Sequence, residues 1–248
     1  MASSVYQPCK RALIIGIDNY SHPIPPLTTC VKDARGLRDA LLSVKSNVRD
    51  KFHVLPVYNC KHAEFKEKLD EFVTTIRNGD IILFYFAGHA EEYNEKNYLI
   101  PSDYNYDHSV SEAEYRIANS INAQNIMHRI NSAGPEITIF ILDCCRTKRI
   151  RTNGNGLAPM NPLPETLVVF SCGPGQGALD DPLTNENGVF AGNLIKHIKT
   201  STEDIETIFI NVARDVKAQT NGFQKPYRTS CLTEKVFLFG KTSQGKTS

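Results

Sequence analysis

An α/β fold, with a mostly parallel central sheet layered between helices, is what this sequence predicts, and three observations predict it. Two runs, IILFYF at 81–86 and ITIFIL at 137–142, are continuously apolar, the pattern of strands buried on both faces. Stretches between the apolar runs place their hydrophobic residues at helical spacing. Strands therefore alternate with helices, and a parallel sheet with crossover helices is the arrangement that satisfies this order. The 248 residues are 41 % apolar and 22 % charged, an ordinary globular balance.

The elements follow in order. Arg11–Ile17 (RALIIGI) reads as a buried strand, followed by the Pro-rich loop SHPIPP. Cys30–Val44 sets Val31, Ala34, Leu37, Leu41 and Leu42 on one helical face. Lys51–Tyr58 reads as a strand and His62–Arg77 as a helix, with Phe65, Leu69, Phe72 and Ile76 in register. Gly79 is placed to serve as that helix's C-cap. Asn122–Ser132 supplies a helix before ITIFIL, and a Gly-, Pro- and Asn-rich polar stretch spans Thr152–Glu165. Thr166–Ser171 is a further strand, Val189–Lys199 and Glu203–Lys217 are helices, and Lys235–Phe239 reads as a short terminal strand. One domain is expected over residues 11–239, with an N-terminal extension at 1–10 and a disordered tail at 240–248.

Composition narrows the function. A formal net charge of +1 argues against a dedicated nucleic-acid binder. No apolar run approaches the roughly 18 residues of a membrane span, and the start MASSVYQPCKRALIIG lacks a signal-type core. Seven cysteines, with no C-x-x-C spacing, point to reduced thiols in a cytoplasmic protein rather than to a disulfide framework or a zinc site.

Three motif matches fall short on physical grounds. Gly240–Thr247 (GKTSQGKT) fits a phosphate-loop pattern, but only Ser248 follows it, so the helix such a loop needs is missing. Gly173–Gly177 lacks the spacing of a dinucleotide fingerprint. Cys145 and Arg151 have the spacing of a phosphatase loop, but the five residues between them are bulky and contain no glycine. A loop that wraps phosphate with backbone N–H groups favours small residues.

The main signal is a pair of strand ends. IILFYF breaks into Ala87-Gly88-His89, and ITIFIL breaks into Asp143-Cys144-Cys145-Arg146. Ligands of open parallel sheets bind outside the carboxyl ends of the strands. A histidine there can raise the thiolate fraction of a nearby cysteine and later protonate a leaving amine. His89 and Cys145 are 56 residues apart, which fits one strand–helix–strand crossover. In an extended strand Asp143 and Cys145 project to one side and Cys144 to the other; this alone does not choose between the two thiols.

LFYFAGHA followed by IFILDCCR resembles the paired catalytic segments of the caspase-like cysteine peptidases, closest in pattern to paracaspases and metacaspases. The likeness runs from RALIIGIDNY and CVKDARGL to GVFAGNLIKHI, about residues 10 to 239. It implies a three-layer caspase-like fold, with a large-subunit-like part at 11–145, a linker at 146–165 and a small-subunit-like part at 166–239. The D-x-C pattern implies Cys145 as nucleophile and His89 as general acid/base, with backbone N–H groups of Ala90 and Cys145 as the oxyanion hole. The family usually has Gly where this chain has Ala90; if that position needs positive φ, Ala is strained by about 1 kcal/mol or more.

The resemblance further implies endopeptidase cleavage after Arg, then Lys, with Asp33 and Asp143 as acids of the pocket for the residue preceding the cut bond (P1). Asp180 and Asp181 are candidates for a third acid. The alternative for Asp33 is a solvated first-turn carboxylate favoured by the helix dipole. Lys148, Arg149 and Arg151, beside the nucleophile, are expected self-processing positions. No metal site is expected: calcium activation occurs among relatives of this pattern, but the pairs Glu91/Glu92 and Asp180/Asp181 form no recognisable loop. Protein or peptide substrates with a basic P1 are the expected partners, together with a homodimer through the 235–239 strand. The rival reading is a weakly active homologue serving as an interaction or dimerisation module, favoured by Ala90 and by the lack of a recruiting segment in this sequence.

Overall fold

The computed structural model describes residues 6–43, 51–144, 157–173, 187–200 and 202–239. In chain order the elements are β1 (Lys10–Gly16), α1 (Cys30–Ser43), β2 (Phe52–Tyr58), α2 (His62–Thr75), β3 (Ile81–Ala87), β4 (Ala90–Tyr93), β5 (Lys96–Leu99), α3 (Glu112–Asn119), β6 (Ile121–Asn122), α4 (Ala123–Ser132), β7 (Ile137–Asp143), β8 (Thr166–Phe170), α5 (Val189–Thr200), α6 (Ile205–Gln219) and β9 (Tyr227–Ser230). Six strands form one sheet in the order β2-β1-β3-β7-β8-β9, while β4, β5 and β6 form a small antiparallel sheet beside it. The first five of the six are parallel and β9 runs antiparallel at the edge.

The continuous apolar runs become the central strands because each face of the sheet is covered. Leu83, Tyr85, Ile139, Ile141, Leu167 and Val169 face α1, α5 and α6. Their alternating neighbours Ile82, Phe84, Phe86, Phe140, Leu142, Val168 and Phe170 face α2 and α4. Phe84 and Phe140 stack across β3 and β7 with ring centroids 4.6 Å apart, a contact worth about 1 kcal/mol beyond its buried area. The mostly parallel, three-layer α/β architecture expected from the sequence is the one observed.

Strand order reverses beside β1, with β2 on one side and β3 on the other. The crevice at such a reversal is where open sheets bind ligands. The loop leaving β1, the Gly88-His89 segment leaving β3 and the end of β7 all meet on this rim. At the opposite end Asp80 ties the strand starts together. Its buried carboxylate accepts hydrogen bonds from Tyr6 Oη at 2.5 Å, Cys9 N at 2.7 Å, Arg11 Nε at 2.9 Å and Arg77 N at 2.9 Å.

Three expectations change. Residues 235–239 form no strand; Val236, Leu238 and Phe239 instead bury against the α1/α5/α6 layer. The carbonyls of Val236 and Leu238 are taken by Ile205 N and Lys10 Nζ, so the segment is held by packing and isolated bonds rather than by a ladder. The last strand among the described residues is β9, so the segment expected to form a dimer edge at 235–239 is not a strand. Helix α2 ends at Thr75 with an extended C-cap at Ile76. Gly79, at φ +87°, belongs to the following turn, which Asp80 N closes on Arg77 O. The end of the linker is not a loose polar stretch either: Leu157 and Met160 are buried, and Asn97 brackets Ala158 with bonds of 2.7 and 2.9 Å to its N–H and carbonyl.

Candidate active site

The rim is organised by one rung of the parallel ladder. Ala87, the last residue of β3, pairs with Asp143, the last residue of β7. Gly88 N extends the contact to Asp143 O at 3.4 Å. His89 and Cys145 thus each follow this rung by two positions in sequence; Cys145 itself lies outside the described residues, as do Lys148, Arg149, Arg151, Asp180, Asp181 and the 240–248 tail.

His89 is half-buried and held on several sides. Its backbone N–H donates to Tyr20 Oη at 2.8 Å and its carbonyl accepts from Ile100 N at 3.0 Å. Nε2 lies 2.9 Å from Pro25 O. A carbonyl can only accept, so this bond assigns the proton of the neutral ring to Nε2 and leaves Nδ1 as its basic nitrogen.

Ala90 opens β4 and pairs with Leu99. It is not among the residues with positive φ, so the extended strand accommodates its Cβ without the strain considered from the sequence. The Ile100 N–H bond to His89 O flanks the Ala90–Leu99 pair, which makes it a non-hydrogen-bonded pair. The Ala90 N–H therefore points out of the ladder, at the outer edge of the small sheet.

The acids converge on the α1/α5 face. Asp33 is 3 % exposed, which excludes the solvated helix carboxylate. Its Oδ1 accepts Asn187 Nδ2 at 2.8 Å and Gly188 N at 2.9 Å, where the chain enters α5. Asp143 is also buried, and its Oδ2 accepts the Tyr85 hydroxyl at 2.9 Å. Burial, then the charges of Asp143 and Asp33, push the Tyr85 phenol well above its ordinary pKa. Burial, then Asp143, Asp18 and Asp33, do the same to the Cys30 thiol. Tyr85 and Cys30, which pack on the same face of the sheet, thus lie within electrostatic range of both carboxylates. Asp18 receives Cys30 N at 2.8 Å and Val31 N at 3.2 Å, which caps α1 and fixes the helix that carries Asp33.

The remaining thiols are ordinary. Cys144 is 1 % exposed and packs in the α2/α4 layer. None of Cys9, Cys30, Cys60, Cys144, Cys172 and Cys231 is in a disulfide. Glu91 is engaged by Arg116 Nε at 2.6 Å, and among the described residues no group of three His, Cys, Asp or Glu side chains could hold a metal ion.

Sequence reasoning did not find Tyr20, Pro25, Asp18, Tyr85 or Asn187. Tyr85 was readable in principle, since it lies two residues before Ala87 on the same strand face as Asp143's neighbours Ile139 and Ile141. Tyr20, Pro25 and Asp18 engage backbone groups or act through them, which leaves no residue pattern, and Asn187 reaches Asp33 with its side-chain amide from 154 positions away.

Comparison with known proteins agrees with this architecture. The family model described as "Caspase domain" matches residues 9–237. Mucosa-associated lymphoid tissue lymphoma translocation protein 1 of Homo sapiens is 26 % identical over 236 residues, covering 91 % of this chain and 26 % of that protein. Its Mus musculus homolog is 26 % identical over 237 residues with the same coverages. The chain thus spans about a quarter of the length of these relatives. Among solved structures, pro-sf-caspase-1 matches with a TM-score of 0.67 at 16 % identity, over 97 % of this chain and 94 % of that one. Caspase-1 from Spodoptera frugiperda matches with a TM-score of 0.67 at 18 % identity, over 96 % and 92 %. These structures establish the likeness of fold, and no helix among the described residues is long and apolar enough to cross a membrane. With the family model matching residues 9–237, the chain belongs to the caspase-domain family of cysteine peptidases.

Proposed function

We propose that the protein is a cysteine endopeptidase that cuts peptide bonds after arginine, and less well after lysine, through Cys145 and His89. The observation that carries this reading is the Ala87–Asp143 rung, which favours residues 89 and 145 as neighbours above adjacent strands. Cys144 is the weaker nucleophile candidate because its side chain is buried in the α2/α4 core. Burial in apolar surroundings raises a thiol's pKa and denies it substrate.

In this scheme the Cys145 thiolate attacks the carbonyl carbon after P1. The S–C bond forms while the carbonyl electrons move to oxygen, and the Ala90 and Cys145 N–H groups receive the oxyanion. Each such donor is worth about 10²–10³ in rate. With Nε2–H held by Pro25 O, Nδ1 is the His89 nitrogen that takes the thiol's proton. The imidazolium then protonates the leaving amine as the C–N bond breaks. Water, deprotonated by His89, hydrolyses the resulting thioester and restores the thiol.

Asp33 and Asp143 supply the P1 preference. Two buried carboxylates at one pocket repel an acidic side chain and pair with a cation. The planar guanidinium, with five donors, bridges two carboxylates better than a point-charge ammonium does. The rival interaction-module reading loses its main support, since Ala90 sits in unstrained extended backbone. Self-processing near Lys148, Arg149 and Arg151, protein substrates and a cytoplasmic location remain parts of the proposal. Fluorogenic peptides identical except for P1 test it. Arg should be cleaved faster than Lys, with Asp not cleaved; preferred cleavage after Asp would refute the acidic pocket.

A further inference from the structure

We propose that Tyr20 is a positioning residue for His89, holding the imidazole in working orientation from the loop that follows β1. The inference rests on the peptidase reading for its catalytic meaning, while its structural content stands on contacts to His89 alone.

Tyr20 touches His89 in two independent ways. Its hydroxyl oxygen accepts the His89 N–H at 2.8 Å. Its ring packs against the imidazole with centroids 4.6 Å apart and planes tilted by 59°. One contact fixes the peptide that carries the histidine and the other limits rotation of the ring. Pro25, five residues later in the same loop, takes Nε2, so a single loop controls the backbone, the ring plane and the tautomer of His89.

The preceding glycine is shaped by the same contact. A Cβ on Gly88 would stand 2.5 Å from Tyr20 Oη and 2.9 Å from the Phe86 ring. Only glycine lets the phenol reach the backbone there. Tyr20 is itself a fixed reference. Asp18 N and Asn19 N both donate to Asn59 Oδ1, at 2.8 and 3.0 Å. Leu27 N closes the loop onto Asp18 O at 2.9 Å, and Ser21 N bonds Ser102 O at 2.9 Å. Burial keeps the Tyr20 phenol protonated far above its ordinary range, so the acceptor on the His89 N–H is a neutral hydroxyl at working pH. The Asp18 carboxylate in this loop also caps α1, which ties the placement of His89 to that of Asp33.

Two variants separate the two contacts. Tyr20→Phe keeps the ring and removes the acceptor, and Tyr20→Leu removes both. Steady-state cleavage of a P1-Arg fluorogenic peptide should show kcat about tenfold lower for Tyr20→Phe, the equivalent of one lost hydrogen bond. For Tyr20→Leu kcat should be about a hundredfold lower, as expected for a catalytic group displaced by about 1 Å. KM should stay within about twofold of wild type in both. In parallel, 15N-histidine NMR, with the His89 signals identified through His89→Gln, should show the ring proton on Nε2 in wild type and altered ring shifts in both variants. Unchanged kcat and ring shifts in Tyr20→Phe would overturn the proposal, as would a change in KM alone. If Tyr20→Leu does not fold, Tyr20→Phe decides. If the wild-type protein cleaves no P1-Arg peptide, the peptidase reading fails, and the NMR shifts still judge the role of Tyr20.

Discussion

The Tyr85 hydroxyl donates a 2.9 Å hydrogen bond to Asp143 Oδ2, with both side chains buried beneath the strand ends. Tyr85 and Ala87 sit on one face of β3, and Ala87 is paired with Asp143. The tyrosine therefore supports the carboxylate from below and from the neighbouring strand. A buried carboxylate needs such partners, because its charge is otherwise poorly solvated.

Tyr85→Phe removes that donor while keeping the ring in the core. A hydrogen bond to a charged group contributes about 1.5–3 kcal/mol. Part of this falls on stability, which thermal unfolding will show as a lower midpoint. Part falls on Asp143's aim, so the ratio of kcat/KM for P1-Arg over P1-Lys peptides should shrink toward that of a point-charge pocket.

Asp33→Asn tests the other acid at constant shape. The amide oxygen can still accept from Asn187 and Gly188, so the folded state persists. The lost charge should raise KM for P1-Arg peptides by about tenfold or more, equivalent to about 1.4 kcal/mol. A P1-citrulline peptide, which is uncharged, should be nearly indifferent to the substitution.

Asp80 governs stability at the far end of the sheet. Burial would raise its pKa, but hydrogen bonds from Tyr6, Cys9, Arg11 and Arg77 outweigh it and hold the carboxyl below its ordinary value. Its stabilising contribution is therefore complete above the unfolded pKa of about 4 and is lost as pH falls through the lower folded value. Asp80→Asn should cost about 3 kcal/mol, lowering the unfolding midpoint by roughly 6–12 °C. It should also flatten stability against pH in the acid range, while specific activity per folded molecule stays unchanged.

Much of the architecture was readable in the residues, and what escaped did so for physical reasons. IILFYF and ITIFIL became central strands because a sheet covered on both faces buries the consecutive apolar residues of each run. VFLF near the C-terminus has similar composition but reaches the core without a neighbouring strand to pair with, and composition carries no information about pairing. The β4–β5 hairpin (Ala90–Tyr93 and Lys96–Leu99) and α3 were not foreseen. Their residues are polar, and Glu91 is buried only because Arg116, 25 positions away, neutralises it at 2.6 Å. Asp33 and Asp143 were found by resemblance, whereas Tyr20 and Pro25 were not, since a hydroxyl on a backbone N–H and a carbonyl on a ring nitrogen impose no residue pattern.

That long-range pair gives its own prediction. Arg116→Met would leave Glu91 charged and buried one residue from Ala90, at a cost of about 3–5 kcal/mol. Adding Glu91→Gln removes the orphaned charge and should restore most of the stability measured by urea unfolding. A Glu91→Gln substitution that gives no recovery would mean that packing against Tyr93, whose ring centroid lies 5.2 Å from the Arg116 guanidinium carbon, dominates instead.

Cys145, and not the adjacent Cys144, is proposed as the nucleophile of a basic-P1 peptidase. The most direct test is to label the wild-type protein with a peptidyl P1-Arg acyloxymethyl ketone and map the adduct by peptide mass spectrometry. One stoichiometric thioether is expected on Cys145, absent in Cys145→Ala, strongly slowed in His89→Gln and retained in Cys144→Ala. An adduct on Cys144 that persists in Cys145→Ala, or no adduct on either cysteine, would contradict that assignment.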